Sequence, residues 1–310
     1  MRTAIIDIGT NTINLLVVDQ NSQTYHILHE SKYPAKLGKG GINQGILLPE
    51  AMERGVEALE THLRVIKDFN VESIFTIATS AIRNSANGAE FCGIIKEKFG
   101  LDVRVINGEQ EAQLIFDGVK QVVPIGNERI LILDIGGGSN EFIIANKEGV
   151  LWKQSFELGM ARLLDKFHPS DPITTTEIKA IEGYVRSELA PLYEAIRQYP
   201  VNMLIGSSGS FDTIAAMIAA MHHPHLDITQ TSNYFIPVAS FEELHRKLLA
   251  STAEQRLAMK KMDPHRVDMI VLASIFINFV IREMRISQLQ QCNFALKEGV
   301  IFQIVNHQLS

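Results

Sequence analysis

Two segments of this chain repeat one pattern, and the repeat constrains the fold more than any other feature of the sequence. Residues 4–18 read AIIDIGTNTINLLVV, and residues 131–145 read LILDIGGGSNEFIIA. Each has an apolar run that ends in Asp-Ile-Gly, then a small polar turn and a second apolar run. The pattern predicts a β-hairpin whose turn exposes backbone N–H groups that can cradle phosphate. Two such hairpins predict two similar domains that close on one phosphate-bearing ligand.

The repeat extends beyond the hairpins. Residues 28–38 and 151–159 are extended segments that both end in Leu-Gly. Residues 73–80 and 202–208 are apolar segments that end in small polar residues, 73 or 74 positions after the Asp of their hairpin. Because the matches keep their order and spacing, we interpret them as an internal duplication.

The order of predicted elements is β-β-β-α-β-α, and it occurs twice. This order predicts an α/β fold with a mixed sheet in each repeat. A length of 310 residues suits roughly two domains, and the turn-rich residues 124–127 separate them into 1–124 and 125–310. We also predict single helices at 175–199 and 264–284, a polar loop at 222–233, and a C-terminal helix within 294–310 that packs back on the first domain.

Charge and composition narrow the function classes. The net charge is −6, which argues against general binding to nucleic acid or to a membrane surface. The two cysteines have no metal-ligand spacing, and the N-terminus lacks a signal-peptide pattern, so we expect a reduced, cytoplasmic protein. The apolar stretch 269–281 is too short to span a bilayer and predicts a buried helix. An acidic chain that binds phosphate needs a local positive patch or a metal ion.

Several residues are candidate ligands from their positions alone. Asp7 and Asp134 each end a predicted buried strand, where a purely structural Asp would be costly, and Glu141 follows the second turn. We expect Asp7 and Asp134 to hold Mg²⁺ or another divalent cation, whereas Glu141 could equally be an exposed hairpin residue. The expected phosphate-binding turns consist of Gly9, Thr10 and Asn11 in the first repeat and Gly136, Gly137, Gly138 and Ser139 in the second. A third anion site is expected where Gly206, Ser207, Ser208 and Gly209 begin a helix.

Six motifs together resemble the exopolyphosphatase and guanosine-pentaphosphate phosphohydrolase family. They are DIGTNTINLLV (7–17), ATSAIRNSAN (78–87), INGEQEAQLIFDGV (106–119), LDIGGGSNEF (133–142), GSSGSFDTIAA (206–216) and LKEGVI (296–301). The resemblance covers nearly the whole chain and is to the short, two-domain form of the family. It implies two duplicated actin-like, ribonuclease H-like domains with an interdomain cleft, and it implies a phosphoanhydride hydrolase.

The resemblance also assigns roles that the residues alone leave open. Glu111 begins a predicted helix, where an acid ordinarily complements the helix dipole, and the family match makes it the catalytic glutamate. Glu109 is the competing acid and is interpreted as the dipole partner or a secondary ligand. The family match also favours Glu141 as a third ligand of the divalent cation. Arg83 follows a strand and matches the family's phosphate-binding arginine.

These expectations combine into a hypothesis with rivals. The expected reaction is Mg²⁺-dependent removal of the terminal phosphate from inorganic polyphosphate. The first rival is the same chemistry on guanosine pentaphosphate, and a sugar-kinase-like activity is a second. A third is a non-catalytic sensor that binds phosphate-rich nucleotides. We expect no nucleic-acid or membrane partner, and a homodimer is left open.

Overall fold

The computed structural model describes residues 1–21, 23–223 and 225–308. The strands are β1 Arg2–Ile8, β2 Ile13–Gln20, β3 Tyr25–Tyr33, β4 Ser73–Ala78, β5 Val103–Val105, β6 Ile130–Ile135, β7 Asn140–Asn146, β8 Gly149–Phe156, β9 Met203–Ser207, β10 Asn233–Ile236 and β11 Gln288–Cys292. The helices are α1 Pro49–Asp68, α2 Ser80–Arg83, α3 Gly88–Phe99, α4 Gly108–Val119, α5 Met160–Phe167, α6 Thr175–Glu188, α7 Ala190–Gln198, α8 Gly209–His222, α9 Val238–Leu249, α10 Ala253–Leu257, α11 Ile270–Glu283 and α12 Leu296–Val305. Three short 3₁₀ helices lie at 42–44, 228–230 and 264–266.

The two sheets repeat one strand order. The first sheet runs β3-β2-β1-β4-β5, and the second runs β8-β7-β6-β9-β11, with β10 added antiparallel at its edge. In each sheet the first three strands are antiparallel, and the central strand pairs in parallel with the strand that follows a helical crossover. The predicted α/β fold with a duplicated, actin-like strand pattern is therefore confirmed.

The register of the hairpins places the repeated acids at matching positions. Asp7 pairs with Asn14 across the first hairpin, and Asp134 pairs with Glu141 across the second. The central strands β1 and β6 are buried along almost their whole length, because both faces of each strand pack in a hydrophobic core. Each therefore carries its Asp to the end of a buried strand, next to the turn.

Helices α4 and α12 pack against each other between the two sheets. The apolar core around them includes Ile5 and Ile77 of the first sheet and Ile132 and Ile205 of the second. Helix α12 also contacts β1, which places the C-terminal helix against the first sheet. Residues 309 and 310 of the predicted C-terminal helix lie outside the described residues, and the division at 124/125 stays a prediction.

Several predicted elements differ in the structure. The single helix predicted at 175–199 is two helices, α6 and α7, because Pro191 lies in the first turn of α7 and has no N–H to continue a helix. The helix predicted at 264–284 begins only at Ile270, after a 3₁₀ turn. The predicted polar loop at 222–233 contains a 3₁₀ turn, and its last residue begins β10; residue 224 lies outside the described residues.

Strand β11 was missed because its sequence, QLQQC, is polar. Its position between β9 and β10 nevertheless makes it part of the second sheet. Helix α11 is buried along most of its length, as its apolar sequence predicts. Among the described residues, no helix is both long enough and apolar enough to cross a membrane.

Candidate active site

Both hairpin turns line one cleft between the two sheets, with a water-accessible volume of about 150 Å³. The turns have the same backbone geometry, because the Gly9 N–H donates to Thr12 O at 3.0 Å and the Gly136 N–H donates to Ser139 O at 3.0 Å. A Cβ on Gly136 would lie 2.6 Å from Ser139 O, so this tight turn requires glycine. All seven residues predicted for the two phosphate-binding turns line the cleft.

The two turns also touch each other across the cleft. A Cβ on Gly138 would lie 2.4 Å from Thr10 Oγ1 and 2.6 Å from Ser80 Oγ, and a Cβ on Gly137 would lie 3.2 Å from the Cβ of Asn11. The backbone of the second turn can approach the first this closely only because it carries no side chains. Gly137 and Gly138 are therefore needed for the close contact between the halves, whereas Gly136 is needed for its own turn.

Polar contacts beside the turns connect the two halves further. Arg162 donates from Nε to Gly138 O at 2.8 Å and from Nη1 to Ile42 O at 2.9 Å. The same guanidinium pairs with Glu157 at 2.5 Å, and Glu157 accepts a hydrogen bond from Asn84 at 2.6 Å. These contacts close the cleft at the end where the two turns meet.

Glu111 lies in the first turn of α4 and lines the cleft. A capping box between Asn107 and Gln110 begins this helix and so fixes where Glu111 projects. Arg83 Nη1 donates to Glu111 Oε2 at 2.7 Å and to Ile106 O at 3.0 Å. Burial raises the pKa of Glu111 to about 7 despite the lowering effect of Arg83, and Asp7 and Asp134 add to the rise. A carboxylate with this pKa can accept a proton near neutral pH.

The competing acid differs from Glu111 in every respect that matters to catalysis. Glu109 is exposed and lies on the side of α4 that faces a separate depression. Arg83 packs behind Glu111, outside the residues that line the cleft. Its predicted contact with phosphate therefore stays a prediction, and in this structure its partner is the carboxylate.

Asp7 and Asp134 both line the cleft, and each has one carboxylate oxygen held by a neighbouring side chain. Asn14 Nδ2 donates to Asp7 Oδ2 at 2.8 Å, and Ser207 Oγ donates to Asp134 Oδ2 at 2.8 Å. Burial raises the pKa of each aspartate to about 6, more than these hydrogen bonds lower it.

Glu141 lies behind the cleft lining and is almost completely buried. Its Oε1 accepts a hydrogen bond from Ser155 Oγ at 2.6 Å. Burial raises its pKa well above the usual range, and the charges of Glu111 and Asp134 raise it further. Four buried acids thus share one small region, which is costly unless a cation enters it.

The donor set fits a divalent cation that binds together with a phosphate substrate. Oδ1 of Asp7 is buried and has no hydrogen-bond partner among the described residues. Within the described part of the chain, no group of three or more His, Cys, Asp or Glu side chains could hold a metal ion by itself. Mg²⁺ commonly uses one or two carboxylates and takes its other ligands from water and substrate phosphates. Asp7 and Asp134 fit that pattern, whereas Glu141 lies behind the residues that line the cleft.

The start of α8 forms another part of the cleft. Ser208 is the N-cap residue at φ 71°, and its Oγ donates to Ile135 O at 2.9 Å instead of capping the helix. Ser208, Gly209 and Ser210 line the cleft, which leaves N–H donors of the first turn facing it. Of the four residues predicted here, Ser207 instead binds Asp134 and Gly206 packs against Phe211.

Three cleft-lining cations were missed by sequence reasoning: Lys32, Arg266 and Lys297. Lys297 pairs with Glu30 at 3.1 Å and also with the fully buried Glu298, and these acids raise its pKa. The guanidinium of Arg266 packs directly on Gly209. Lys297 lies in the LKEGVI motif, which was a usable signal. Arg266 lies in no motif, and only folding brings it to the cleft.

Comparison with known proteins identifies the family of this chain. A model of the Ppx/GppA phosphatase family matches residues 16–308. The chain belongs to the Ppx/GppA phosphatase family. It is therefore a phosphohydrolase of the phosphoanhydride class, as predicted.

Individual relatives cover nearly the whole chain. Exopolyphosphatase 2 of Mycobacterium tuberculosis (strain CDC 1551 / Oshkosh) is 29% identical over 96% of this chain and 97% of its own length. The crystal structure of an exopolyphosphatase from Cytophaga hutchinsonii ATCC 33406 superposes with a TM-score of 0.96 at 37% identity, covering 100% of this chain and 99% of that chain. The Aquifex aeolicus PPX-GPPA enzyme gives a TM-score of 0.78 at 25% identity, with 98% and 99% covered. The duplicated fold is thus shared across these Ppx/GppA proteins.

Proposed function

We propose that this Ppx/GppA protein is an exopolyphosphatase that uses Mg²⁺ to hydrolyse the terminal phosphate of inorganic polyphosphate. The observation that carries the proposal is the position of Glu111 in a cleft lined by both phosphate-binding turns. Two of the relatives described above are named as exopolyphosphatases, which supports the same substrate.

In the proposed reaction, water attacks the terminal phosphorus and the bond from that phosphorus to the bridging oxygen breaks. Glu111 accepts a proton from the attacking water, inorganic phosphate leaves, and the shortened chain keeps the bridging oxygen. A carboxyl group with a pKa of about 7 is ionised in roughly half of the molecules at neutral pH, which suits a general base. Arg83 holds one oxygen of this carboxylate and so orients it.

Asp7 and Asp134 would hold Mg²⁺, which when bound neutralises phosphate charge and the repulsion among the buried acids. The N–H groups of the two turns would bind the terminal phosphate between them. Lys32, Arg266 and Lys297 also line the cleft, but each is paired with an acidic side chain. A bound Mg²⁺ would therefore have to supply much of the positive charge that a polyanion needs. The contact between the turns excludes bulk water from the reacting phosphate.

The first rival is hydrolysis of guanosine pentaphosphate. It would use the same acids and turns, so the cleft supports it through the same chemistry. The sensor hypothesis differs, because it requires binding without turnover.

The test offers purified protein with Mg²⁺ three substrates: long-chain polyphosphate, guanosine pentaphosphate and ATP. We expect phosphate release to be fastest from polyphosphate. We expect kcat to fall roughly 10²–10⁴-fold in Glu111→Gln, with a Glu109→Gln control within about twofold of wild type. Faster release from guanosine pentaphosphate would reverse the substrate assignment. Binding without release from any of the three would support the sensor, and full activity in Glu111→Gln would remove the catalytic assignment.

A further inference from the structure

Asn14 occupies a position in the first hairpin that the duplication makes informative. It faces Asp7 across the β1–β2 pair, in the position that Glu141 occupies opposite Asp134. Both Asn14 and Asp7 line the cleft. The chain therefore places a neutral amide at a position where its second copy places an acid.

The amide determines which oxygen of Asp7 is available. Asn14 Nδ2 donates to Oδ2 at 2.8 Å, whereas Oδ1 is buried and has no partner among the described residues. A buried carboxylate oxygen without a hydrogen bond is costly, so a partner from outside the protein is expected there. A carboxylate in place of Asn14 would have no proton to donate at neutral pH and would add another negative charge to the cleft.

We infer that Asn14 is a positioning residue, which holds Oδ2 of Asp7 and leaves Oδ1 free to bind the divalent cation or one of its water ligands. The inference deepens the proposed function and rests on its use of a divalent cation. Residues that hold a metal ligand in this way commonly change metal affinity 10–100-fold when removed. Asn14 itself would not touch the reacting atoms.

The same hairpin offers a matched control. Gln20 Nε2 donates to Thr3 Oγ1 at 2.8 Å between the same two strands, and Gln20 is buried. Gln20 lies at the end of β2 away from the turn. Asn14→Leu removes a part-buried amide donor and Gln20→Leu removes a buried one from this hairpin, so both report the structural cost of such a loss.

The experiment measures Mn²⁺ affinity by isothermal titration calorimetry on substrate-free protein, with thermal unfolding alongside. We expect Asn14→Leu to weaken Mn²⁺ binding roughly 10–100-fold. Gln20→Leu should keep the wild-type Mn²⁺ affinity within about twofold, even if its unfolding midpoint falls as far as that of Asn14→Leu. In an Asp7→Asn background, Asn14→Leu should cause no further loss of Mn²⁺ affinity, because Asn14 acts on Mn²⁺ binding only through the Asp7 carboxylate.

The outcomes separate this inference from the proposed function. If the wild type binds Mn²⁺ and Asn14→Leu binds it with the same affinity, only the positioning role is overturned. Wild-type protein that binds no divalent cation overturns both the metal requirement and the inference. If Asn14→Leu does not fold, Asn14→Val, a β-branched residue that suits a strand and has no hydrogen-bond donor, takes its place. That variant should then bind Mn²⁺ more weakly than wild type, and an unchanged affinity would contradict the role.

Discussion

The β1–β2 hairpin and the β6–β7 hairpin have the same backbone and different side chains. Both turns close with the same Gly N–H to carbonyl hydrogen bond at 3.0 Å, and both place an Asp at the end of a buried strand. The first has Thr10 and Asn11 at its tip, and the second has Gly137 and Gly138. Side chains on one tip and none on the other allow the two to meet.

The acids differ in the same one-sided way. Asp7 is paired with a neutral amide, whereas Asp134 is paired with Glu141, whose charge also interacts with Glu111. The two hairpins therefore share one backbone arrangement, and differences at single positions place more buried negative charge in the second. Three predictions examine that asymmetry, from the largest expected effect to the smallest.

Glu141→Gln makes the second hairpin resemble the first, with an amide opposite the Asp. We expect activity to fall roughly 100-fold, because the charge of Glu141 acts on Glu111 and Asp134 and so affects how these acids bind a proton or a cation. We expect the unfolding midpoint to rise, since a neutral side chain relieves burial of charge and repulsion with Glu111 and Asp134. Glu148→Gln, an exposed acid between β7 and β8, serves as control in both assays. Undiminished activity in Glu141→Gln would show that the two hairpins are chemically interchangeable at this position.

Gly138→Ala tests whether the second turn must lack a side chain to contact the first turn. Its Cβ would overlap Thr10 Oγ1 and Ser80 Oγ, so the turns must separate. We expect kcat/KM to fall roughly tenfold or more, because small displacements of reacting groups are costly, with little change in the unfolding midpoint. Gly126→Ala is a suitable control, since a Cβ there has no neighbour within 4 Å. Equal activities of the two variants would argue against closure by tip contact.

We expect the free energy of unfolding to depend on pH through Asp7 and Asp134 of the two hairpins and through Glu111 of α4. The pKa values of Asp7 and Asp134 are raised to about 6, and that of Glu111 to about 7. An acid with a raised pKa in the folded state binds its proton more tightly there than in the unfolded chain. Its stabilising effect is therefore complete below about pH 4 and is lost as pH rises through about 6 to 7.

Without divalent cations, we accordingly expect the unfolding midpoint to be several degrees lower at pH 8 than at pH 5. Asp7→Asn and Asp134→Asn should each reduce this difference by a similar amount, because their shifts are alike. Differential scanning fluorimetry across pH, with and without Mg²⁺, measures it. A midpoint that rises from pH 5 to pH 8 in metal-free buffer would contradict the sign.

Much of the site could be read from the sequence because its signals are local. Glycine turns between apolar runs identified both hairpins, and the Asp at each strand end followed from the same pattern. Prediction from the sequence failed where these local patterns were absent or misleading. Strand β11 has no apolar alternation, and Pro191 interrupts a helix that the surrounding residues predict to continue. Arg83 was assigned to phosphate by resemblance, whereas the structure pairs it with Glu111.

The sequence alone determined the duplicated fold, the two turns and the acids beside them, because strand periodicity and turn chemistry act between residues close in the chain. Only the tertiary structure decided how those parts work together. It brought Gly138 against Thr10, placed Arg266 on Gly209, and set Asn14 on one oxygen of Asp7 while leaving the other unpaired. Burial and the fields of distant charges raise the pKa values of these acids, and both arise from packing between segments far apart in the chain.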